Sequence, residues 1–316
     1  MGMILGIAGV FAYLGSLDYH YVFTHTDVLS HQTITLFVGH PWSAVSVIAI
    51  LLLIGAMGKS AQMPLHVWLP ESMEGPTPIS AMIHAATMVT AGVYLLVRLS
   101  PIIELSQVTL TLILVLGATT CLFMGLLGVF QNDIKRVIAY STLSQLGYMM
   151  AAVGASAFQA SMFHLFTHGC FKALLFLAAG SVIIGMHHEQ DMRKMGNLYR
   201  YMPLTYVAFL VGALALCAIP PFAGFFSKDT IIDAVWLSHI PGAMYAYICV
   251  IAGTFVTALY TFRAFFLTFH GKENIPADIQ AHVQESSWVM TVPLVLLSIA
   301  SIVVGFIFMK PLLLLT

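Results

Sequence analysis

The stretch "MFHLFTHGCFKALLF" sets His164, His168 and Lys172 at successive intervals of four residues. On a helix that spacing puts all three side chains on one face. Ser161 and Thr167 fall close to it. Two chemistries suit such a stripe. Histidines at i and i+4 can grip a metal, but HExxH is absent here and no third ligand is evident. A file of titratable groups along an apolar helix suits a hydrated proton path, and the spacing favours that reading over a metal site. Histidines packed for structure alone remain the plain alternative.

Further charges interrupt apolar runs. Lys59 stands in "IGAMGKSAQMPLHVW" and Lys228 in "PPFAGFFSKD". A lysine at the centre of a hydrocarbon layer costs roughly 2.5–3.5 kcal/mol, so three facing lipid would cost roughly 8–10 kcal/mol. Lys59, Lys172 and Lys228 are therefore expected to face protein or water, unless one snorkels to the interface or merely pairs structurally. Asp229, directly after Lys228, is a potential partner. His84 lies mid-run in "PTPISAMIHAATMVTAGVYLL", as a relay or a packed histidine. Lys135 opens a helix beside Asp133 and Arg136, as a membrane-surface anchor or a group at a channel mouth. The loop "HHEQDMRKMGNLYR" carries mixed charges that fit a solvated or partner-contacting segment better than a metal site. Gly58-Lys59-Ser60 ends like a phosphate-binding loop, but Leu53 stands where that motif needs glycine and the run is an apolar helix. A nucleotide site is excluded.

The elements that must hold these groups are read from composition. Of 316 residues, 59% are hydrophobic and 8% charged, against about 45–50% and 25% in soluble domains. Apolar runs of membrane-spanning length recur along the chain, which indicates an all-α, polytopic transmembrane bundle. A barrel would need short alternating segments instead. The expected spans are 1–15, 43–69, 77–98, 107–130, 134–153, 157–186, 203–237, 242–269 and 287–309. Two are broken, by Pro64 and by Pro220-Pro221 with Gly224. Helices broken inside a membrane line cavities, because freed backbone groups need protein or water. These two broken spans, five apart and each with a nearby lysine, suggest an inverted repeat. Residues 1–98 would be an incomplete first repeat, 107–269 a second five-helix repeat, and 270–316 a loop and final span.

Cys121, Cys170, Cys217 and Cys249 are scattered in apolar runs and read as packing residues. No cleavable leader is visible at the start of the sequence, and no basic cluster points to nucleic acid. Lys135, Arg136, Arg193, Lys194, Arg200 and Lys272 fall on one side of the membrane, against Arg98 and Lys310 on the other. That bias, to which Arg263 adds, puts the first side in the cytoplasm and Ser16 to Pro41 outside.

Together, "GKSAQMPLHVWLPESMEGPTPISAMIHAATMVTAGVYLL", "DIKRVIAYSTLSQLGYM", "FHLFTHGCFKALLFLAAGSVI", "HHEQDMRKMGNL" and "PPFAGFFSKD" resemble the antiporter-like membrane subunits of respiratory NADH–quinone oxidoreductase (complex I), specifically the subunit L or subunit 5 type. The resemblance covers essentially the whole chain. "GPTP" and "FFSK" are shared with multisubunit cation/proton antiporters and membrane-bound hydrogenases, whereas "HHEQDMRKMG" tilts towards the respiratory subunit. The resemblance implies a proton-translocating subunit with no redox cofactor of its own, no metal, and other membrane subunits as partners. A bacterial inner membrane is the implied location. Lys59 would be the broken-helix lysine of the first repeat and His84 its link. His164, His168 and Lys172 would form the central axis, Lys228 and Asp229 the distal end, and Lys135 an accessory position. Helices preceding Lys59, with its acidic partner, and a lateral helix after the last span are expected to be missing. A sodium/proton antiporter subunit and a non-conducting structural fragment are the alternatives.

Overall fold

The computed structural model describes residues 1–37, 40–280 and 282–313. Helix α1 (Gly2–Leu14) leads through the short α2 (Tyr19–Thr24) and α3 (Thr26–Ser30) into an antiparallel hairpin of β1 (Thr33–Phe37) and β2 (His40–Ser43). Its register sets Thr33 opposite Ser43 and Ile34 opposite Trp42. The hairpin was not anticipated from sequence, although "TITL" alternates threonine with apolar residues and is rich in β-branched side chains. Every other named element among the described residues is helical, and five helical segments are long and apolar enough to cross a membrane.

The first broken span is α4 (Ala44–Lys59), a non-helical stretch, then α5 (Trp68–Glu71). Next comes a span of two pieces, α6 (Thr77–Ala85) and α7 (Thr90–Arg98), with α8 (Ser100–Ile103) behind it. The long helices α9 (Gln107–Phe130), α10 (Ile134–Gly154) and α11 (Phe158–Gly185) follow. The second broken span is α12 (Pro203–Leu216) with α13 (Ala223–Leu237). α14 (Ala243–Phe269), the short α15 (Ala277–Gln280) and α16 (Trp288–Leu313) complete the order.

The two breaks share one geometry. In each, an alanine with left-handed backbone sits two residues past the helix end, Ala61 after Lys59 and Ala218 after Leu216. A proline, Pro64 or Pro221, stands three residues beyond it. The lysines near the two breaks do not occupy equivalent positions in this register. Lys59 matches Leu216, and Lys228 lies on the far side of its break, at the position that Glu71 holds in the first. Side chains of the first break satisfy backbone groups both within it and in the neighbouring α6–α7 span. Ser60 Oγ donates to Val89 O (2.7 Å) and accepts from Val93 N (3.1 Å), and Trp68 Nε1 donates to Gly58 O (3.2 Å).

The centre of the bundle is α10, in which every residue but Arg136 and Tyr140 is buried. It packs between α9, α11, α13 and α14. Gly147 permits this closeness, since a Cβ there would collide with the backbone of Cys121. α16 runs beside both α12 and α13 and so bridges the second break. Below α16, Glu285 accepts hydrogen bonds from Leu204 N (2.8 Å) and Thr205 N (3.3 Å) and caps the start of α12.

Three connections meet at one end of the bundle. Met192 N donates to Asn132 O (2.9 Å), Asn274 N donates to Met195 O (3.2 Å), and Arg263 donates to Gln131 O (2.6 Å) and to Asn132 Oδ1 (2.7 Å). Lys135, Arg136, Arg193, Lys194, Arg200 and Lys272 therefore share that end. Arg98 lies at the other, with its guanidinium 4.9 Å from the ring centre of Tyr19.

Candidate functional site

The stripe on α11 faces inward: His164, His168 and Lys172 are all 0% exposed. The partner faces belong to α10 and α13. His164 Nε2 is 3.1 Å from Gln145 Oε1, and its Nδ1 is 2.9 Å from Ser227 Oγ. Ser227 is in turn 2.9 Å from Thr167 Oγ1. Lys172 Nζ donates to Ile138 O (3.4 Å) and to Ser141 Oγ on α10. His168 lies between, its ring centre 6.3 Å from that of His164 and 5.5 Å from that of Phe171. Both of its ring nitrogens are buried with no hydrogen-bond partner among the described residues.

On the α13 side, Lys228 is 1% exposed. Its ammonium donates to Leu216 O (3.0 Å), the last residue of α12, and lies 4.8 Å from the ring centre of Tyr148. A helix C-terminus presents orphan carbonyls and the negative end of the dipole, so it suits a cation. On the α6 side, His84 is 0% exposed, with Nε2 3.2 Å from Ser72 Oγ and its ring 5.1 Å from that of Phe176. Ser72 donates to Leu69 O (2.6 Å), so it accepts from His84 Nε2.

The amines share one property. Lys172 and Lys228 are met by oxygen acceptors and no carboxylate, since the ion pairs among the described residues are Arg193–Asp191 and Lys194–Glu189, both in the loop at the basic end. A carbonyl or hydroxyl oxygen accepts from an amine whether it is charged or neutral. The pocket therefore serves both protonation states, where a carboxylate would fix one of them.

Several expectations need correction. Asp229 is exposed and forms no ion pair with Lys228, because neighbouring residues on a helix point about 100° apart. Lys59, the last residue of α4, is exposed on the flank of the bundle rather than buried. Lys135 is 5% exposed and donates to Gly75 O (3.1 Å) and Met73 O (3.4 Å), which ties α10 to the turn before α6. The hydroxyls of Thr87 and Thr90, on the turn after His84, donate to Met82 O (2.9 Å) and Ala86 O (3.1 Å), at an interruption between α6 and α7 that carries no proline. The sequence reading passed over Ser141, Gln145, Tyr148 and Ser227. Its missed signal was "YSTLSQLGY", a polar run inside a helix buried on every side.

The loop "HHEQDMRKMGNLYR" is docked rather than free, with Met192, Met195 and Leu198 buried. Hydrogen bonds from Lys194 and from Arg193 hold the Glu189 and Asp191 carboxyls below the usual carboxylate range.

Comparison with known proteins bears on what this buried row belongs to. Residues 1–259 match the family model described as NADH:quinone oxidoreductase/Mrp antiporter, TM. The chain belongs to that family. It is 55% identical to NADH-quinone oxidoreductase subunit L of Neisseria meningitidis, with 99% of this chain and 49% of that protein covered. It is 47% identical to NADH-ubiquinone oxidoreductase chain 5 of Chondrus crispus, covering 97% of this chain and 46% of the relative. The chain thus spans about half the length of the curated relatives it matches. Among solved structures, the Mrp complex from Dietzia sp. DQ12-45-1b superposes with a TM-score of 0.84 at 27% identity, covering 98% of this chain and 33% of that one. Membership in this family agrees with the all-α bundle and with the buried lysines and histidines on α6, α11 and α13.

Proposed function

We propose that this chain forms the proton-conducting core of an antiporter-like membrane subunit of NADH–quinone oxidoreductase, driven by redox chemistry that occurs in other subunits. The reading rests on one observation above all: His84 on α6, His164, His168 and Lys172 on α11 and Lys228 on α13 are all buried where these helices pack, and among the described residues no carboxylate pairs with either lysine. Two unit charges roughly 4 Å apart interact by about 4 kcal/mol at an effective dielectric near 20. Proton arrival at one member of such a row therefore biases the next towards release. In this reading residues 1–98 contribute part of a first repeat and 107–269 a second. Lys135 anchors the turn that positions α6, and Lys59 serves the first repeat from the flank of the bundle. Asp229, exposed beside Lys228, is placed to receive a proton on the outer side. The chain itself holds no redox cofactor or metal. Its partners are the complex's other membrane subunits and lipid, and its location is the bacterial inner membrane with the basic end in the cytoplasm.

The test is Lys172→Ala in the assembled complex. Proton-to-electron stoichiometry should fall while assembly and electron transfer to quinone persist. Unchanged stoichiometry in a normally assembled complex would overturn the reading. The likeness to the Mrp complex supports a second reading, sodium/proton antiport, and sodium-dependent proton flux in vesicles would favour that one instead.

A further inference from the structure

The hydrogen bonds around His164 decide more than its burial. Given the proton-conducting reading above, they define which of its nitrogens can take part in proton movement. Nε2 is covered by the Gln145 amide at 3.1 Å. An amide can accept from an N–H or donate to a lone pair, but it does not pass a proton onward. Nδ1 is covered by the Ser227 hydroxyl at 2.9 Å, a group that donates and accepts at once. Among the described residues no other side chain hydrogen-bonds to either nitrogen. We infer that His164 loads and unloads its proton through Nδ1 alone, by way of Ser227, so it is a side reservoir of charge rather than a through-relay in the α11 stripe.

Donor counting gives the two states. With His164 neutral, Nε2–H donates to Gln145 Oε1, and Ser227 donates its single proton to Nδ1. The Ser227 oxygen then accepts from Thr167, 2.9 Å away. With His164 charged, Nδ1–H donates to Ser227. Ser227 must turn its own proton towards Thr167 Oγ1, or to the carbonyls of Ala223 and Gly224 at 3.4 Å. Thr167 in turn donates to His164 O, 3.1 Å away. Where Ser227 turns to Thr167, their bond reverses direction with the charge on the ring. Loading is balanced by one protonated water at the break between α12 and α13. It gives a proton to Ser227 Oγ as the existing hydroxyl proton passes to Nδ1, which leaves neutral water, neutral serine and an imidazolium. Unloading is the reverse.

The location gives the reservoir a role. Ser227 precedes Lys228 on the first turns of α13, so charge reaches His164 only from the side of the helix break where Lys228 sits. His168 differs, because neither of its nitrogens is covered.

The experiment compares proton pumping by the assembled complex carrying Ser227→Ala, Ser227→Thr, His164→Gln and the double variant Ser227→Ala/His164→Gln. Ser227→Ala should slow pumping roughly tenfold, about the factor that one hydrogen bond to a charged group is worth. Ser227→Thr should restore it, which loss of packing alone would not predict. The double variant should be no slower than His164→Gln alone. Wild-type pumping by Ser227→Ala alongside a defective His164→Gln overturns the inference but leaves the proposed function standing. If His164→Gln and Lys172→Ala both pump normally, the proposed function itself fails.

Discussion

At the scale of single residues, the site is built from neutral partners around ionisable groups, and that choice is testable by reversing it. Gln145→Glu puts a carboxylate against His164 Nε2 in place of an amide. The imidazolium would then be held by a full opposite charge, and His164 would stop cycling. Pumping should fall although the side chain is nearly the same size, and electron transfer uncoupled from proton movement is the measurement. Tyr148 offers a second separation of effects. Its ring lies under Lys228, while its hydroxyl donates to Val250 O (2.7 Å) on α14. A desolvated cation over an aromatic face is worth about 2 kcal/mol. Tyr148→Phe keeps that face and should pump nearly normally in proteoliposomes, whereas Tyr148→Leu should be strongly impaired. Equal loss in both variants would assign the effect to the hydroxyl's tie to α14. The stripe on α11 was legible in sequence because its residues are charged letters in an apolar run. Gln145, Ser227 and Tyr148 were not, because their role depends on α10 being enclosed on all sides and on α13 restarting at Ala223.

At the scale of elements, proline announced both broken helices, yet the position of each break needed backbone detail. α4 stops at Lys59, before Pro64 is reached, and the interruption between α6 and α7 has no proline at all. There, threonine hydroxyls bonded to backbone carbonyls accompany the bend, a pattern that side-chain hydropathy does not display. The second break is tight at Gly224, whose missing Cβ would overlap the carbonyl of Ala215. Overpacking against rigid backbone costs typically ~1–3 kcal/mol, so Gly224→Ala should lower the thermal stability of the detergent-solubilised protein and separate α12 from α13. Gly58, inside α4, has nothing within 4 Å of a built Cβ. Gly58→Ala should be neutral or slightly stabilising in the same assay, since alanine favours a helix interior by about 1 kcal/mol. The docked loop at the basic end responds to acid instead. Glu189 and Asp191 are held low by Lys194 and Arg193, so their contribution is present at neutral pH and is lost only as pH falls through their depressed values, beneath the ordinary carboxylate range. Hydrogen exchange at residues 190–195, corrected for intrinsic rates, should stay constant from about pH 7 to 5 and rise only below about 4.

At the scale of the whole molecule, the membrane character, the nearly continuous series of spans and the clustering of basic residues at one end all follow from where apolar runs and lysines fall. Lys59 shows the limit of that reading. An isolated charge in an apolar helix argues for burial, but burial depends on what packs outside the helix, and here that flank is open. The chain matches about half the length of relatives such as the Neisseria meningitidis subunit. We therefore expect Lys59 to react with an amine reagent in the isolated chain in detergent and to be protected in an assembled complex. The connections carrying Arg193, Lys194, Arg200 and Lys272 meet the α9–α10 turn at one end of the bundle, so a single sidedness measurement orients all of them. The native thiols suit a direct test: Cys121, Cys217 and Cys249 are buried and Cys170 is half-buried within α11, so a membrane-impermeant maleimide should see mainly introduced cysteines. Lys272→Cys should label in inverted vesicles and stay silent in right-side-out ones, and His20→Cys should do the opposite. Labelling of both from the same side would contradict the bundle's topology, and a clean exchange of sides would place its basic end outside, against the charge bias that governs membrane insertion.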